Sequence, residues 1–503
     1  MTLGAQVSAG TARLLLIPIL LAYGYIAVGY ARGTPRWNNP DEPAHVNYVR
    51  QVATTGTLPV LTEGDWDSEV LSRLTTAWFP NDDEPAGIRY EGHQPPLYYL
   101  LAAPVHRLSL ALGLPLNRQI LALRFFSILL GSVAVVAAFV VTREAAPNRP
   151  VLAVLTAATV AFVPMNTAIL AAVNNDALAT ALSAVTLAAL MVGLRRNFSD
   201  RWAAGLGLLI GALVLTKLTV YVFVPLILFT LLLAGRPQTW TVQGWLRALR
   251  WPAIAAGVGL LVCGWWIVRN MSMYGLLDPL AMTRHDQIVV GQPRWTVYDL
   301  ESLDFFFRIL FRSFWGMFGW MGVVLDDGFY ILYLVLTVLG IVGVEIGWLA
   351  RTPLRLKHCG LLTWAALLVF GEVAYYNLTF IQPQGRYLFP ALVPVALFLS
   401  SGWLQLAERA ASPLLVRLLT TSVLAGAIAW ALGEVHGSLR AAELWSDNAL
   451  IAAAVAGGVL VLGLPRAARM YLPDGLCLTL ALTLALLDYA ALVKFVAPAF
   501  PLR

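Results

Sequence analysis

Charge is scarce in this chain. Asp, Glu, Lys and Arg make up 12% of its 503 residues, where ordinary globular domains carry about 25%. A water-exposed surface of normal polarity is therefore excluded. Cysteine is scarcer: Cys263, Cys359 and Cys477 are the only three. Their number is odd, their spacing suits no metal, and each lies in or beside an apolar stretch. We read no disulfide framework, only small apolar side chains. No glycine-rich nucleotide loop, internal repeat, low-complexity tract or separate soluble domain is evident. What remains is 59% hydrophobic, with a mean hydropathy of +0.72. These values predict an all-α polytopic membrane protein.

A spanning helix needs about 20 apolar residues. Candidates are 12–30, 119–141, 150–170, 176–194, 250–270, 329–350, 359–380, 387–405, 413–432, 448–465 and 474–494. Segment 202–234 is too long for one span and is interrupted by Thr216-Lys217, so it divides into two short helices meeting at Lys217. The total is about thirteen. The apolar run after Arg13 is longer than a signal-peptide core of about 7–15 residues, so it reads as a retained first span.

The net charge of +6 does not call for nucleic acid, because the charges sort by membrane side. Segment 95–112 decides the sorting. It opens with Pro95-Pro96 and carries His106-Arg107. If it does not cross, the loops holding Arg143, Arg149, Arg195, Arg196, Arg201, Arg236, Arg247, Arg250, Arg351, Arg355, Lys357, Arg409, Arg417, Arg466 and Arg469 join Arg13 on one side. The acidic stretches 41–91, 278–304 and Asp326-Asp327 fall on the other. The positive-inside rule then places the N-terminus in the cytoplasm. It makes 95–112 a re-entrant or interfacial helix. The expected organisation is one transmembrane domain over 1–503. Residues 31–118 form a first outer loop with interfacial helices, and 271–328 a second with an aromatic interfacial helix. Segment 43–55, with Val46, Val49, Val52 and Ala53 on one stripe, suits a helix lying in the interface.

The outer side collects the polar chemistry. Asn39 is placed to cap a helix whose first turn holds Pro40, Asp41 and Glu42. Those two acids either complete the cap or present a base to a cavity. His45, one turn on, can orient Asp41. A second polar knot is Glu91-Gly92-His93-Gln94-Pro95-Pro96-Leu97-Tyr98-Tyr99. Asp176, in Asn174-Asn175-Asp176, reads as an N-cap, a partner for Arg124 or Lys217, or a second acid. Four cations lie at the outer boundary, against the usual bias: Arg124, Lys217, Arg269 and Arg386, the last followed by Tyr387. One is explained by snorkelling. Four from distant parts of the chain point to an anion at the interface, with a lipid-linked phosphate as the natural candidate. Oxygen ligands for a divalent metal are too few to predict one, and a metal assembled from Asp41, Asp176 and loop carboxylates stays an open alternative.

Together these residues resemble the GT-C superfamily of membrane glycosyltransferases, in particular protein O-mannosyltransferases and the aminoarabinose transferases of lipid A. Asn39-Pro40-Asp41-Glu42 is similar to the family's DE motif. Gln94-Pro95-Pro96-Leu97-Tyr98-Tyr99 resembles its Lys-Pro-Pro-Leu segment. Leu123-Arg124-Phe125-Phe126-Ser127, Leu215-Thr216-Lys217 with Pro225, and Arg386-Tyr387 with Pro390 are similar to later elements. The family's lysine before Pro-Pro is Gln94 here, preceded by His93. Ser313-Phe314-Trp315-Gly316-Met317-Phe318-Gly319-Trp320 looks typical of a bacterial branch.

The resemblance implies a GT-C fold and an inverting transfer of a sugar from a polyprenyl-phosphate donor. The acceptor would be a cell-wall glycan, lipid or protein outside the cytoplasmic membrane. Asp41 is the implied base and Glu42 an orienting or acceptor-binding acid. His93, Gln94, Arg124, Lys217, Arg269, Arg386 and Tyr387 are implied at the donor phosphate or substrate. Three alternatives stay open: a transporter or flippase, a non-catalytic scaffold of the same fold, and a polyprenyl-diphosphate-dependent ligase.

Overall fold

The computed structural model describes residues 7–79, 85–237, 241–296, 298–349, 358–410 and 472–500. The candidate spans 413–432 and 448–465 lie outside them. Helix α1 (Ala9–Gly33) leads through a turn to α2 (Glu42–Thr55), α3 (Ser68–Thr76), α4 (Leu97–Ala111) and α5 (Leu116–Ala145). Then come α6 (Pro150–Ala161), α7 (Pro164–Leu170), α8 (Asp176–Arg196), α9 (Asp200–Val214), α10 (Phe223–Ala234), α11 (Val242–Ala248), α12 (Arg250–Tyr274) and α13 (Met282–Ile288). The chain continues with α14 (Leu300–Trp315), a hairpin of β1 (Met317–Phe318) and β2 (Val323–Val324), α15 (Asp327–Leu349), α16 (Cys359–Tyr376), α17 (Leu392–Ala410) and α18 (Leu472–Ala491). Among the described residues, eight helices are long and apolar enough to cross a membrane, or nine if α6 and α7 form one span. This is a multi-pass membrane protein.

Helix α6 is apolar on every side, so it is buried on every side: each residue from Val151 to Ala161 is inaccessible. Around it pack α1, α5, α17 and α18. The expected single span 150–170 is broken here, with a 63° bend between α6 and α7. Pro164, in the first turn of α7, cannot continue the hydrogen-bond ladder. The freed carbonyls are not orphaned. Asn166 Nδ2 donates to Val160 O at 3.0 Å and Thr167 Oγ1 to Ala161 O at 3.0 Å. Such repair is what lets a helix break within a membrane protein. The bend delivers the Asn174-Asn175-Asp176 turn, wholly inside the protein.

The pair α9 and α12 pack backbone to backbone. A Cβ on Gly211 would meet Val262 Cβ at 2.4 Å, the close approach that small residues permit. Past Val214, α9 ends and Lys217 is extended (φ −163°, ψ 145°) before the chain resumes as α10. The expected division of 202–234 at Lys217 matches these bounds.

Helix α4 has fifteen residues, about 22 Å at the α-helical rise. That is short of an apolar core of about 30 Å. Its start is tied to the end of α9 by Leu97 N–H donating to Leu215 O at 2.8 Å. The stripe on α2 does not face lipid as expected: Val46, Val49, Val52 and Ala53 are buried with Tyr98, Tyr99, Ala102 and Ala103 of α4. A helical stripe records an apolar neighbour without saying whether it is lipid or protein. Helix α2 also starts later than expected, with Asp41 rather than Asn39 at the cap. Cys359 is exposed, unlike the other two cysteines.

Candidate functional site

Between α1 and α2 the chain makes a tight turn. Trp37 and Asp41 both adopt left-handed backbone, at φ 72° and 63°. Aspartate is among the few side chains that tolerate this region; a tryptophan there is strained. The turn aims the two acids in different directions.

Glu42 points inward and is fully buried. Its carboxylate accepts Arg124 Nε–H at 2.8 Å and a second guanidinium N–H at 2.6 Å. It also accepts the backbone N–H groups of Trp37 and Val173, each at 3.1 Å. Arg124 donates further to Ala31 O and Thr34 O at 2.6 Å and to Pro35 O at 3.0 Å. A guanidinium has five N–H donors, and these contacts use them all. Arg124 therefore has none left for a phosphate. The expected phosphate ligand is instead a buried strut from α5 that fixes the exit of α1. Of the two roles expected for Glu42, this strut is the orienting one.

Asp41 points the other way. Its Oδ1 accepts Tyr90 O–H at 2.7 Å and its Oδ2 accepts an Arg386 N–H at 2.6 Å. Arg386 comes from the turn before α17, and its Nε–H is held by Gln384 at 2.7 Å. Its other terminal nitrogen, Nη1, is buried without a hydrogen bond, 3.9 Å from Asp176 Oδ2. Asp176 Oδ1 accepts Lys217 Nζ–H at 2.6 Å. Asp176 is thus not the cap of α8 but its first residue, with Asn175 before it. Four side chains from four distant segments form one row: Asp41, Arg386, Asp176 and Lys217.

Neutral groups flank the row. His45 Nδ1 and Tyr99 O–H lie 2.8 Å apart. Burial, reinforced by Lys217 and Arg386, drops the imidazole pKa to about 3 despite Asp41 and Asp176, so His45 is neutral at pH 7. Burial also raises Glu91, and neighbouring Asp41 raises it further, to about 8 against the pull of Lys217, Gln94 and Arg386. One oxygen of Glu91 is buried and unbonded. Burial would raise Asp41 as well, but Arg386, His45 and Tyr90 outweigh it and bring the pKa to about 2. Asp41 stays ionised and Glu91 keeps its proton.

The other expected residues lie around this row. Gln94 accepts from Asn175 Nδ2 at 3.3 Å. His93 is turned onto Tyr90 O at 3.0 Å and faces His285 with ring centres 4.5 Å apart. Burial, then His285, brings the pKa of His93 to about 3. Tyr387 lies under the Arg386 guanidinium at 5.2 Å and donates to Gln382. Arg269 holds Pro59 O at 2.6 Å and stacks on Trp266, bracing the segment between α2 and α3. Tyr90 and Glu91 were not anticipated as site residues. The polar knot at 91–99 contains Glu91 and begins one residue after Tyr90.

Asp41, His45 and Glu91 offer ligand atoms within 4.8 Å of one another, the one such trio among the described residues. It does not fit a resident divalent ion. Both Asp41 oxygens are engaged, and an ion would sit beside the Arg386 guanidinium.

The family described as dolichyl-phosphate-mannose-protein mannosyltransferase matches residues 94–270, a little over a third of the chain. Among solved structures, ArnT from Cupriavidus metallidurans bound to undecaprenyl phosphate aligns with 96% of this chain and 77% of its own, at TM-score 0.56 and 14% identity. The chain has the fold of the GT-C membrane glycosyltransferases. The apo form of the same ArnT aligns with 97% of this chain and 78% of its own, at TM-score 0.56 and 15% identity. The Archaeoglobus fulgidus oligosaccharyltransferase AglB, in complex with an inhibitory peptide and a dolichol-phosphate, aligns with 92% of this chain and 56% of its own. Its 13% identity and TM-score of 0.45 are too low to bear on the fold. No curated protein matches the sequence significantly.

Proposed function

We propose that this GT-C protein is an inverting glycosyltransferase. It moves a sugar from a polyprenyl-phosphate donor to a cell-envelope acceptor at the outer face of the cytoplasmic membrane. The observation that carries the reading is the row Asp41–Arg386–Asp176–Lys217. In it an ionised acid touches a cation that still has free N–H groups.

The row suggests how one site binds an anion and provides a base. Within the row each cation is neutralised by a carboxylate: Arg386 by Asp41, Lys217 by Asp176. A donor phosphate approaching Arg386 and Lys217 competes for both. As the guanidinium turns to the phosphate, Asp41 loses the partner that holds its pKa down, and its basicity rises. Asp41 then takes the proton of an acceptor hydroxyl. The acceptor oxygen attacks the anomeric carbon from the face opposite the phosphate. The sugar–phosphate C–O bond breaks, its electron pair leaves on polyprenyl phosphate, and the configuration inverts. Arg386 and Lys217 stabilise that growing charge, usually the largest catalytic contribution. Tyr90 holds Asp41 in place, and protonated Glu91 avoids a further negative charge beside the donor.

Transfer of labelled sugar from a panel of polyprenyl-phosphate sugars to envelope acceptors tests the reading. Wild type should transfer from at least one donor and Asp41→Asn from none. Equal transfer by the mutant removes Asp41 from the base role. No transfer by wild type across the panel rejects the activity.

A further inference from the structure

The stretch Ser313–Trp320 stands out in the sequence, and its role is not given by the chemistry above. It leaves the end of α14, turns at Gly316 and enters the hairpin. Its two ends touch the two segments that carry the acid and the cation of the site.

At one end, Ser313 is buried, and its Oγ accepts the backbone N–H of Gly385 at 2.8 Å. Gly385 immediately precedes Arg386. It has no room for a side chain, since a Cβ would stand 2.1 Å from the Phe314 nitrogen. The Phe314 ring meets Phe389 edge-on at 5.7 Å. The backbone under Arg386 is therefore clasped by Ser313 and Phe314.

At the other end, Trp320 Nε1–H donates to Trp37 O at 2.9 Å, and its ring stacks on Phe79 at 6.1 Å. Trp37 opens the turn that ends at Asp41. Its N–H is held by Glu42 and its carbonyl by Trp320, so both backbone polar groups of a left-handed residue are fixed from outside the turn. Next to it, Asn38 Nδ2 donates to Trp78 O at 3.0 Å. Trp37, Asp41, Trp78, Phe79, Trp320 and Met321 all have positive φ without being glycine. Six such residues in three segments linked by these contacts are costly, and they persist only where the surroundings over-determine them. Between the two ends, Trp315 stacks on Tyr333 with centres 4.3 Å apart, and Tyr330 O–H donates to Gly316 O at 2.6 Å. These contacts anchor the middle of the stretch to α15.

We propose that residues 313–320 form a two-ended strap that sets Asp41 against Arg386, with Trp320 the positioning residue for the acid and Ser313 the positioning residue for the cation. The strap rests on the transferase reading for its effect on turnover, but not for its mechanics. The two ends act on different quantities. Loosening the Trp320 end moves the base, which is felt in turnover. Loosening the Ser313 end moves the phosphate-facing cation, which is felt in lipid affinity.

The test uses the full-length protein in lipid nanodiscs, comparing wild type, Trp320→Phe and Ser313→Ala. Trp320→Phe keeps an aromatic ring and deletes the N–H. Three quantities are read: amide exchange of 37–42 and 384–390, the Kd for undecaprenyl phosphate, and kcat with any donor that supports transfer. Melting temperature and exchange in α6 report whether each variant is folded. For Trp320→Phe we expect exchange at 37–42 to quicken about tenfold and kcat to fall about ten- to a hundredfold, the scale of a small misplacement. Its undecaprenyl phosphate Kd should stay within about twofold. For Ser313→Ala we expect faster exchange at 384–390 and a Kd weakened about tenfold, the scale of one hydrogen bond's support. Unchanged exchange at both segments, or losses that merely track melting temperature, would overturn the strap. Exchange is read without substrate, so the strap is decided even if no donor is turned over and the transferase reading fails.

Discussion

Asp41 and Glu91 are two neighbouring carboxyl groups with opposite ionisation: burial raises both, and only Asp41 has partners that outweigh it. Asp41 accepts from Arg386 and Tyr90; Glu91 has one buried oxygen with no partner. Removing the charge of Asp41 by Asp41→Asn should lower kcat about 10²–10⁴-fold, the usual worth of a general base, with the protein still folded. Glu91 gives a pH signature. Its folded pKa, about 8, lies above the unfolded value of about 4.3. The folded state therefore holds the proton more tightly. This contribution to stability is complete below the unfolded pKa and is lost as pH rises through the folded pKa. Melting temperature should decline from mildly acidic to alkaline pH, and Glu91→Gln should flatten the decline. The same variant should remove an alkaline fall in undecaprenyl phosphate affinity, because no second anion can form beside Asp41. An unchanged pH profile in Glu91→Gln would contradict this assignment.

At the level of elements, the Glu42–Arg124 strut separates structure from ligand binding. Breaking a buried ion pair by removing one partner typically costs about 3–5 kcal/mol. Arg124→Met should cost that much in chemical denaturation while the folded fraction binds undecaprenyl phosphate as wild type does. A selective loss of lipid affinity at normal stability would return Arg124 to the phosphate. The sequence showed Arg124 as a cation at the edge of a span, and nothing local could show that its five donors were taken by residues some 80–90 positions away. The same limit applies to α2. Its apolar spacing was legible, but the α4 surface that covers it was not. The bend between α6 and α7 is not evident in the sequence because 150–170 is apolar enough to cross as one span; its clues are Pro164 and the polar pair Asn166-Thr167 after it. Helix α14 was legible as amphipathic, whereas the hairpin after it depends on contacts with Trp37 and Tyr330. Conversely, the Lys217 break could be read, because a charge interrupts an apolar run.

At the scale of the whole molecule, the fold brings Asp41 and Arg386 together from 345 positions apart, and Asp176 and Lys217 from 41. Family-like motifs pointed to Asp41, Lys217 and Arg386 one at a time, and the Asn174-Asn175-Asp176 turn offered Asp176 with Lys217 as one of its possible partners; joining all four into a row needed the tertiary structure. The charge sorting along the sequence predicts which side the row faces. A cysteine placed at exposed Glu63 in a protein lacking its three native cysteines should react with a membrane-impermeant thiol reagent in intact cells. One placed at exposed Arg196 should react only after permeabilisation. The reverse pattern would turn the site to the cytoplasm. The most direct measurement is a structure of the protein in lipid with undecaprenyl phosphate bound. The account predicts the phosphorus within about 4 Å of nitrogens on both Arg386 and Lys217, the reach of charge-assisted hydrogen bonds, with the Asp41–Arg386 contact lengthened. A phosphate bound elsewhere, with the Asp41–Arg386 and Asp176–Lys217 pairs intact, would contradict it.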